Sequence, residues 1–520
     1  MKRVFCLMGL IVLSTLQGRL VAKDLELAAI FSDHMVLQRE QPVRVWGWAD
    51  PEATVTCSIG DASARATADR SGKWTVELPP MKAGGPFELS VIHQEQTVTR
   101  SDVLIGEVWL CSGQSNMAMT VNRARDFEQE AAAATFPQIR MFREASAHST
   151  EEQDRCSGSW AVCSPETVGS FSATAYFFGR DIHQQLNVPV GLVNSSVGGT
   201  SIESWTSLSA QEANEQLEPV LAEWKSKDDE FDPDTAKAIY ERALAAWEKR
   251  RDDAKAAGKP IPRRPALATQ PRIDRNHPSN LFNGKIRPLV GYGIRGAIWY
   301  QGENNSNRSY AGLYGEQLAA LIADWRTRWG QGDFPFAWAQ LPNYRAPQQQ
   351  PSETSGWVLV QEQMMKTLRV PQTGMAVTID VGEAGDIHPK DKQSVGRRLA
   401  HWALGDVYGM KDCAPHAELT MGPIYASSRV DGNRIRIRFR YAGSSLPEPD
   451  GGLKGFAIAG TDRKFQWANA RIVGNEVEVW HDEISVPSAV RYSWASNPVG
   501  NLRNSAGLPA SPFRTDDWTE

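Results

Sequence analysis

A serine, a histidine and an acid far apart in a chain can form one reacting unit if the fold gathers them. Four short segments here supply the residue types. Ser115 lies in "CSGQSNM", Gly198 and Gly199 in "NSSVGGTSIESW", Gln301 to Asn304 in "WYQGENN", and Asp386 and His388 in "GDIHPKDK". Serine attacks poorly until a base takes its proton. Histidine is suited to that task because its unperturbed pKa lies near neutrality. A carboxylate orients the imidazole and stabilises the imidazolium, and Asp386 is the nearest in sequence. Glycines let a backbone N–H approach a developing oxyanion, and the amides of Gln301 or Asn304 can donate to the same oxygen. One such donor is typically worth about 3 kcal/mol in the transition state. The chemistry implied is acyl transfer through a serine. No Cys-x-x-Cys or histidine-rich cluster points to a metal, and neither a metal nor an organic cofactor is expected.

These residues matter only if strands deliver them to one place. "GEVWLCSG", "VPVGLVNSS", "IRGAIWY" and "GMAVTID" are apolar runs that break into Gly/polar loops. Helical stretches lie between them, such as "YAGLYGEQLAALIADWRTRW", with Leu313, Leu318, Leu321, Ile322 and Trp325 at helical spacing. The alternation predicts a mostly parallel sheet covered by helices, with ligands beyond the carboxyl ends of its strands. That region is expected over 105–412, with a charged helical insertion at about 208–280. Short alternating runs such as "PVRVWGWA" and "GKWTVELP" predict a sandwich-like β domain over 23–104. "NRIRIRFRYAG" and "EVEVWHDEI" predict a second β domain over 413–520.

Composition narrows the class of function. Among 520 residues, 41% hydrophobic and 22% charged content is that of a globular protein, and a net charge of −5 argues against nucleic acid as the main partner. Residues 1–22 read as a secretory leader, with Lys2 and Arg3 before an apolar stretch too short to span a bilayer. After its removal no stable membrane insertion is expected, and the protein is expected to be periplasmic or extracellular. Loss of Cys6 leaves an odd set of cysteines: Cys57, Cys111, Cys156, Cys163 and Cys413. Cys156 and Cys163 either close a short disulfide loop or remain thiols. The 18 tryptophans fit either core packing or stacking on sugar faces. Nothing in the sequence sets an oligomeric state.

"GEVWLCSGQSNM", "VGGTSIESW", "RGAIWYQGEN" and "DIHPKDKQSVGRRLA", in this order, resemble the sialate O-acetylesterase family, a branch of the SGNH hydrolases. The resemblance runs from "FSDHMVLQ" to the terminal strands. It implies an SGNH, flavodoxin-like three-layer α/β/α catalytic domain and hydrolysis of O-acetyl esters on sugars. It also implies Ser115 as nucleophile and His388 as general base, with the N–H groups of Ser115 and Gly199 as oxyanion donors. Gln301 is expected as the side-chain donor, ahead of Asn304. The usual fourth loop is Asp-x-x-His. Here Gly385 stands three before His388 and Asp386 two before, so a triad through Asp386 and a Ser-His dyad both remain open. Trp205, Glu303, Tyr344 and Arg345 are the expected substrate contacts, Arg345 for a sialate carboxylate. Acetylated xylan or another polysaccharide is the alternative substrate. A carbohydrate-binding protein without catalysis is the alternative class.

Overall fold

Eighteen residues, Gln96–Gly113, form one strand that organises everything near the four loops. The computed structural model describes residues 24–410 and 418–518, so the expected leader and Cys413 lie outside the described residues. Seven strands of the central sheet are labelled in chain order. They are β1 (Gln96–Gly113), β2 (Ile139–Glu144), β3 (Gly158–Val162), β4 (Val190–Ser196), β5 (Gly296–Tyr300), β6 (Phe336–Ala339) and β7 (Thr373–Ala376). Their order across the sheet is β3-β2-β4-β1-β5-β6-β7. Every pairing is parallel except the edge pair β3/β2. Strands buried on both faces read as continuous apolar runs, as Val108–Cys111 and Ala297–Tyr300 do.

The two faces are packed by aromatic residues. Trp109 of β1 meets Phe178, on the helix Ala173–Leu186, and Trp402, on the helix Lys392–Trp402, with ring centroids 4.9 and 6.5 Å away. Trp299 of β5 meets Trp205 at 6.0 Å and Trp325 of the helix Tyr314–Trp329 at 5.9 Å. Of the residues read at helical spacing, Leu318, Leu321, Ile322 and Trp325 are fully buried, whereas Leu313 stays half-exposed at the helix start. Ten tryptophans fall at or below about 2% exposure, so the tryptophan richness is core rather than a sugar platform. Burying each indole contributes on the order of 4 kcal/mol at most.

β1 passes through residues 104 and 105 without a break. Its first half pairs with Gly84–His93 and Val36–Gln38, and its second half with β4 and β5. The amino-terminal strands Val36–Gln38, Thr54–Ile59, Ala62–Thr67 and Gly84–His93 therefore belong to the same sheet, whereas Glu26–Leu27, Val43–Trp48 and Lys73–Leu78 form a separate one. Beyond residue 418, two four-stranded antiparallel sheets form, with Ile435, Ile437, Phe456, Ile458 and Val479 buried between strands. In the expected insertion, Glu218–Glu230 and Pro233–Ala256 are helices, the second capped by the Asp232 side chain on the Thr235 N–H at 2.9 Å.

Cys156 and Cys163 are free thiols. They flank β3, whose five extended residues hold them apart while pairing with β2, so a disulfide would require breaking the ladder. No helix among the described residues is long and apolar enough to cross a membrane.

Candidate active site

The carboxyl ends of β1, β4 and β5 lie side by side, and the chain leaves each in a polar loop. At the end of β1 a glycine is obligatory. A Cβ on Gly113 would sit 2.2 Å from the Tyr300 carbonyl oxygen of β5, and its φ is +139°. That close approach lets the chain turn at once into the short helix Ser115–Ala118, with Ser115 at its first residue. The N–H groups of a first turn have no partner within the helix, so the Ser115 N–H sits among donors available to a ligand.

The loop after β4 lies against this serine. A Cβ on Gly198 would touch the Ser115 Cβ at 3.4 Å, and Gly199 adopts φ +71°. The loop after β5 closes on the same point, because the Asn304 amide donates to the Gly199 carbonyl at 3.1 Å. Arg308 in turn donates to the Asn304 oxygen at 3.3 Å, which fixes the amide's orientation. Asn304 is partly exposed and has a second amide hydrogen beyond the one used on Gly199.

The fourth loop reaches the first through Asn116. The Asn116 amide donates to the Ile387 carbonyl at 3.0 Å, and the Arg125 N–H to the Lys390 carbonyl at 2.9 Å. The residues flanking Ser115 are thus bonded to residues flanking His388. Asp386 lies beside the imidazole, with Oδ1 3.6 Å from Nδ1, outside hydrogen-bond range. The same oxygen accepts the His388 backbone N–H at 2.8 Å. The other acids of this loop are used elsewhere. Asp380 pairs with Arg398 and Arg503, and Glu383 accepts the Lys390 N–H. Burial holds the His388 pKa below its ordinary value; Asp386 opposes this, and the positive charges of Lys392 and Arg123 reinforce it.

Beneath the serine is a polar network that sequence reasoning missed. Asn116 donates to Glu303 as well as to Ile387, and accepts from the Lys392 ammonium at 2.6 Å. Asn116 and Lys392 are fully buried and Glu303 is 2% exposed. Desolvation raises the Glu303 carboxyl pKa, and it pulls the Lys392 pKa down to about 7. Lys392 is also the first residue of its helix, where the macrodipole disfavours a cation. A lysine breaking two local rules binds the first, third and fourth loops into one body through Asn116.

Three expected roles need correction. Gln301 is fully buried, and its amide already donates to the Thr200 carbonyl at 2.9 Å and to Asn305 at 2.7 Å, while Tyr314 donates to its oxygen. With both amide hydrogens so used, it has none for an oxyanion, and Asn304 is the better-placed amide. Trp205 is fully buried, its indole N–H donating to Thr200, so it offers no face to a sugar. Glu303 is sealed under Asn116, away from any substrate. Tyr344 is half-buried, packed on Trp357 at 5.2 Å, with its backbone N–H tied to Ser496. Arg345 is exposed and adjoins the fourth loop, its N–H donating to the Ala384 carbonyl at 3.1 Å. Asn497 buttresses this edge by bonding the Arg345 carbonyl and Asn343. No cluster of metal-binding side chains is present among the described residues.

Comparison with known proteins bears on this arrangement. The family model for carbohydrate esterases described as sialic acid-specific acetylesterase matches residues 105–239 and 281–404. A sialate O-acetylesterase of Rattus norvegicus is 30% identical over 94% of this chain and 93% of its own length. The Homo sapiens sialate O-acetylesterase is 28% identical over 94% of this chain and 91% of its own length. The crystal structure of a carbohydrate acetylesterase from Xanthomonas citri superposes with a TM-score of 0.79 at 35% identity. The match covers 95% of this chain and 100% of that one.

Proposed function

Because the chain belongs to the sialic acid-specific acetylesterase family of carbohydrate esterases, we propose that it removes O-acetyl groups from sugars, sialic acids first, by acyl transfer through Ser115. It is a carboxylic ester hydrolase. The observation that carries the mechanism is the bond from Asn116 to the Ile387 carbonyl, which holds the serine loop against the histidine loop.

His388 takes the Ser115 proton as the hydroxyl oxygen attacks the acetyl carbonyl. The carbonyl electrons move onto oxygen, where the N–H groups of Ser115 and Gly199 and the Asn304 amide stabilise the anion. Collapse expels the sugar alkoxide, which takes the proton from His388. Water then repeats the sequence on the acetyl-enzyme and releases acetate. Asp386 acts through charge at 3.6 Å rather than through a short hydrogen bond, so the unit works as a histidine with an electrostatic partner.

The SGNH-type three-layer fold is part of the same reading. With the further parallel strand at 139–144 set aside, the strands at 190–196, 96–113, 296–300, 336–339 and 373–376 run in the order 2-1-3-4-5, which supports this reading. We assign the leader to 1–22, the catalytic domain to 105–412 with its insertion at about 208–280, and β domains to 23–104 and 413–520. Export follows from the leader. A second substrate reading, acetylated neutral polysaccharide, is favoured by the 35% identical relative, which is named for carbohydrate acetyl groups in general.

The test is acetate release from O-acetyl sialic acid and from acetylated xylan, with parallel labelling by a serine-directed fluorophosphonate. The proposal expects labelling at Ser115 and faster release from the sialate. Labelling elsewhere would remove the mechanism, and a strong xylan preference would remove the substrate assignment.

The pH profile supplies a second test. Catalysis needs neutral His388, so the acid limb of kcat/KM falls at the pKa of that imidazole, below 6.5. Asp386→Asn deletes the charge that raises this pKa, and the limb moves to still lower pH. Arg123→Met deletes a charge that lowers it, and the limb moves up. Unmoved limbs in both variants would show that another group titrates.

A further inference from the structure

The turn that returns the chain from the helical insertion is anchored to the loop after β4. Asn276 accepts the Ser201 N–H at 2.9 Å, and Asp274 caps the Asn276 N–H at 2.7 Å. Asn280 bonds the carbonyls of Arg272 and Asp274, and His277 pairs with Asp228 at 3.0 Å. The polar side chains of Asp274, Asn276, His277 and Asn280 thus hold the backbone in place.

Arg275 stands in the middle of this turn and is exposed. Its guanidinium lies 3.4 Å from where a Cβ on Gly199 would be. No hydrogen bond or ion pair to that guanidinium occurs among the described residues. A Cβ on Gly198, next in the chain, would lie 3.4 Å from the Ser115 Cβ. Summing these contacts with backbone spacings of about 3.8 Å puts the guanidinium no more than roughly 14 Å from the Ser115 Cβ. That span suits a substrate whose acetyl ester and charged group lie at different positions of one sugar.

A cation of this kind is a recognition element. Guanidinium offers paired N–H donors that match a carboxylate, whereas a hydroxyl takes only one. Arg123, whose charge reaches His388, adds positive potential on the other flank, in a protein of net charge −5.

We propose that Arg275 selects the substrate class: O-acetylated acidic sugars, whose carboxylate pairs with the Arg275 guanidinium while the ester lies against Ser115. The inference rests on the esterase reading above and makes the insertion a specificity element. Arg275 touches the substrate but no reacting atom, so it acts on KM.

The experiment compares wild type, Arg275→Met, Arg275→Lys and Arg272→Met. Each is assayed for acetate release from O-acetyl neuraminic acid, from its C1 carboxamide, and from acetylated xylo-oligosaccharide. Arg272 is an exposed arginine on the same turn and serves as control. Wild type is expected to prefer the acid over the carboxamide. Arg275→Met raises KM for the acid by roughly tenfold with kcat unchanged and leaves both neutral esters alone. Arg275→Lys recovers part of the loss, and Arg272→Met resembles wild type. Equal losses on acidic and neutral esters, or an unchanged acid preference in Arg275→Met, would overturn the carboxylate role while leaving the esterase standing. A wild type that releases acetate from none of the three would overturn both.

Discussion

Replacing Ser115 with alanine is expected to lower kcat for acetate release by about 10³-fold or more, with the thermal midpoint within about 2 °C of wild type. The stability half of this expectation follows from the surroundings. Ser115 is partly exposed, and its Cβ, the atom that Gly198 lies against, survives the change. Alanine is also the better helix former at that position. Only the hydroxyl oxygen is lost. The activity half follows because the hydroxyl that attacks the ester in the proposed mechanism is gone. The oxyanion donors remain and give slow residual turnover. Adding His388→Ala to Ser115→Ala is expected to cost little more, since the two act as one unit. Steady-state acetate release beside a thermal melt checks both halves.

Lys392→Met is expected to cost about 3 kcal/mol of stability. The ammonium is fully buried and bonded to Asn116 at 2.6 Å. Its removal leaves the Asn116 oxygen without a donor and Glu303 without its nearest positive charge. Activity is expected to fall with stability, because Asn116 is the link between Ser115 and the His388 loop. The pH dependence separates this role from simple packing. The folded pKa, about 7, lies below the unfolded value of 10.5. Between these the unfolded chain holds a proton that the folded chain does not, so this group makes stability rise with pH across that window. Lys392→Met should flatten the rise. Glu303→Gln in the same background should restore part of the stability by removing the stranded carboxyl. Urea melts at several pH values provide the measurement, and an unchanged slope would refute the buried-ammonium role.

Much of the site could be read from one dimension, for a physical reason. Parallel strands place their loops at one end of a sheet, so four apolar runs breaking into Gly/polar segments had to converge. The loops that carry Ser115, Gly199, Asn304 and His388 meet on that logic. Long-range packing was not legible. Trp205 stands next to a site loop in sequence, yet its indole turns inward onto Trp299. The family resemblance ranks Gln301 ahead of Asn304, but burial gives its amide to Thr200 and Asn305. Asn116 was visible beside Ser115, but nothing local says that a buried lysine answers it. In "HPKDK" Lys390 and Lys392 look alike, and only the fold exposes one and buries the other. Arg275 is the extreme case. It arrives at Gly199 through a helical insertion whose charges read as a solvated face.

The proposed mechanism passes through a covalent intermediate at one hydroxyl. Rapid acid quench during turnover of an activated acetyl ester, followed by peptide mass analysis, tests it directly. One added acetyl group is expected on the peptide containing Ser115, absent in Ser115→Ala and longer-lived in His388→Ala. Acetyl transfer to a different side chain, or full turnover with no acetylated peptide, would contradict it.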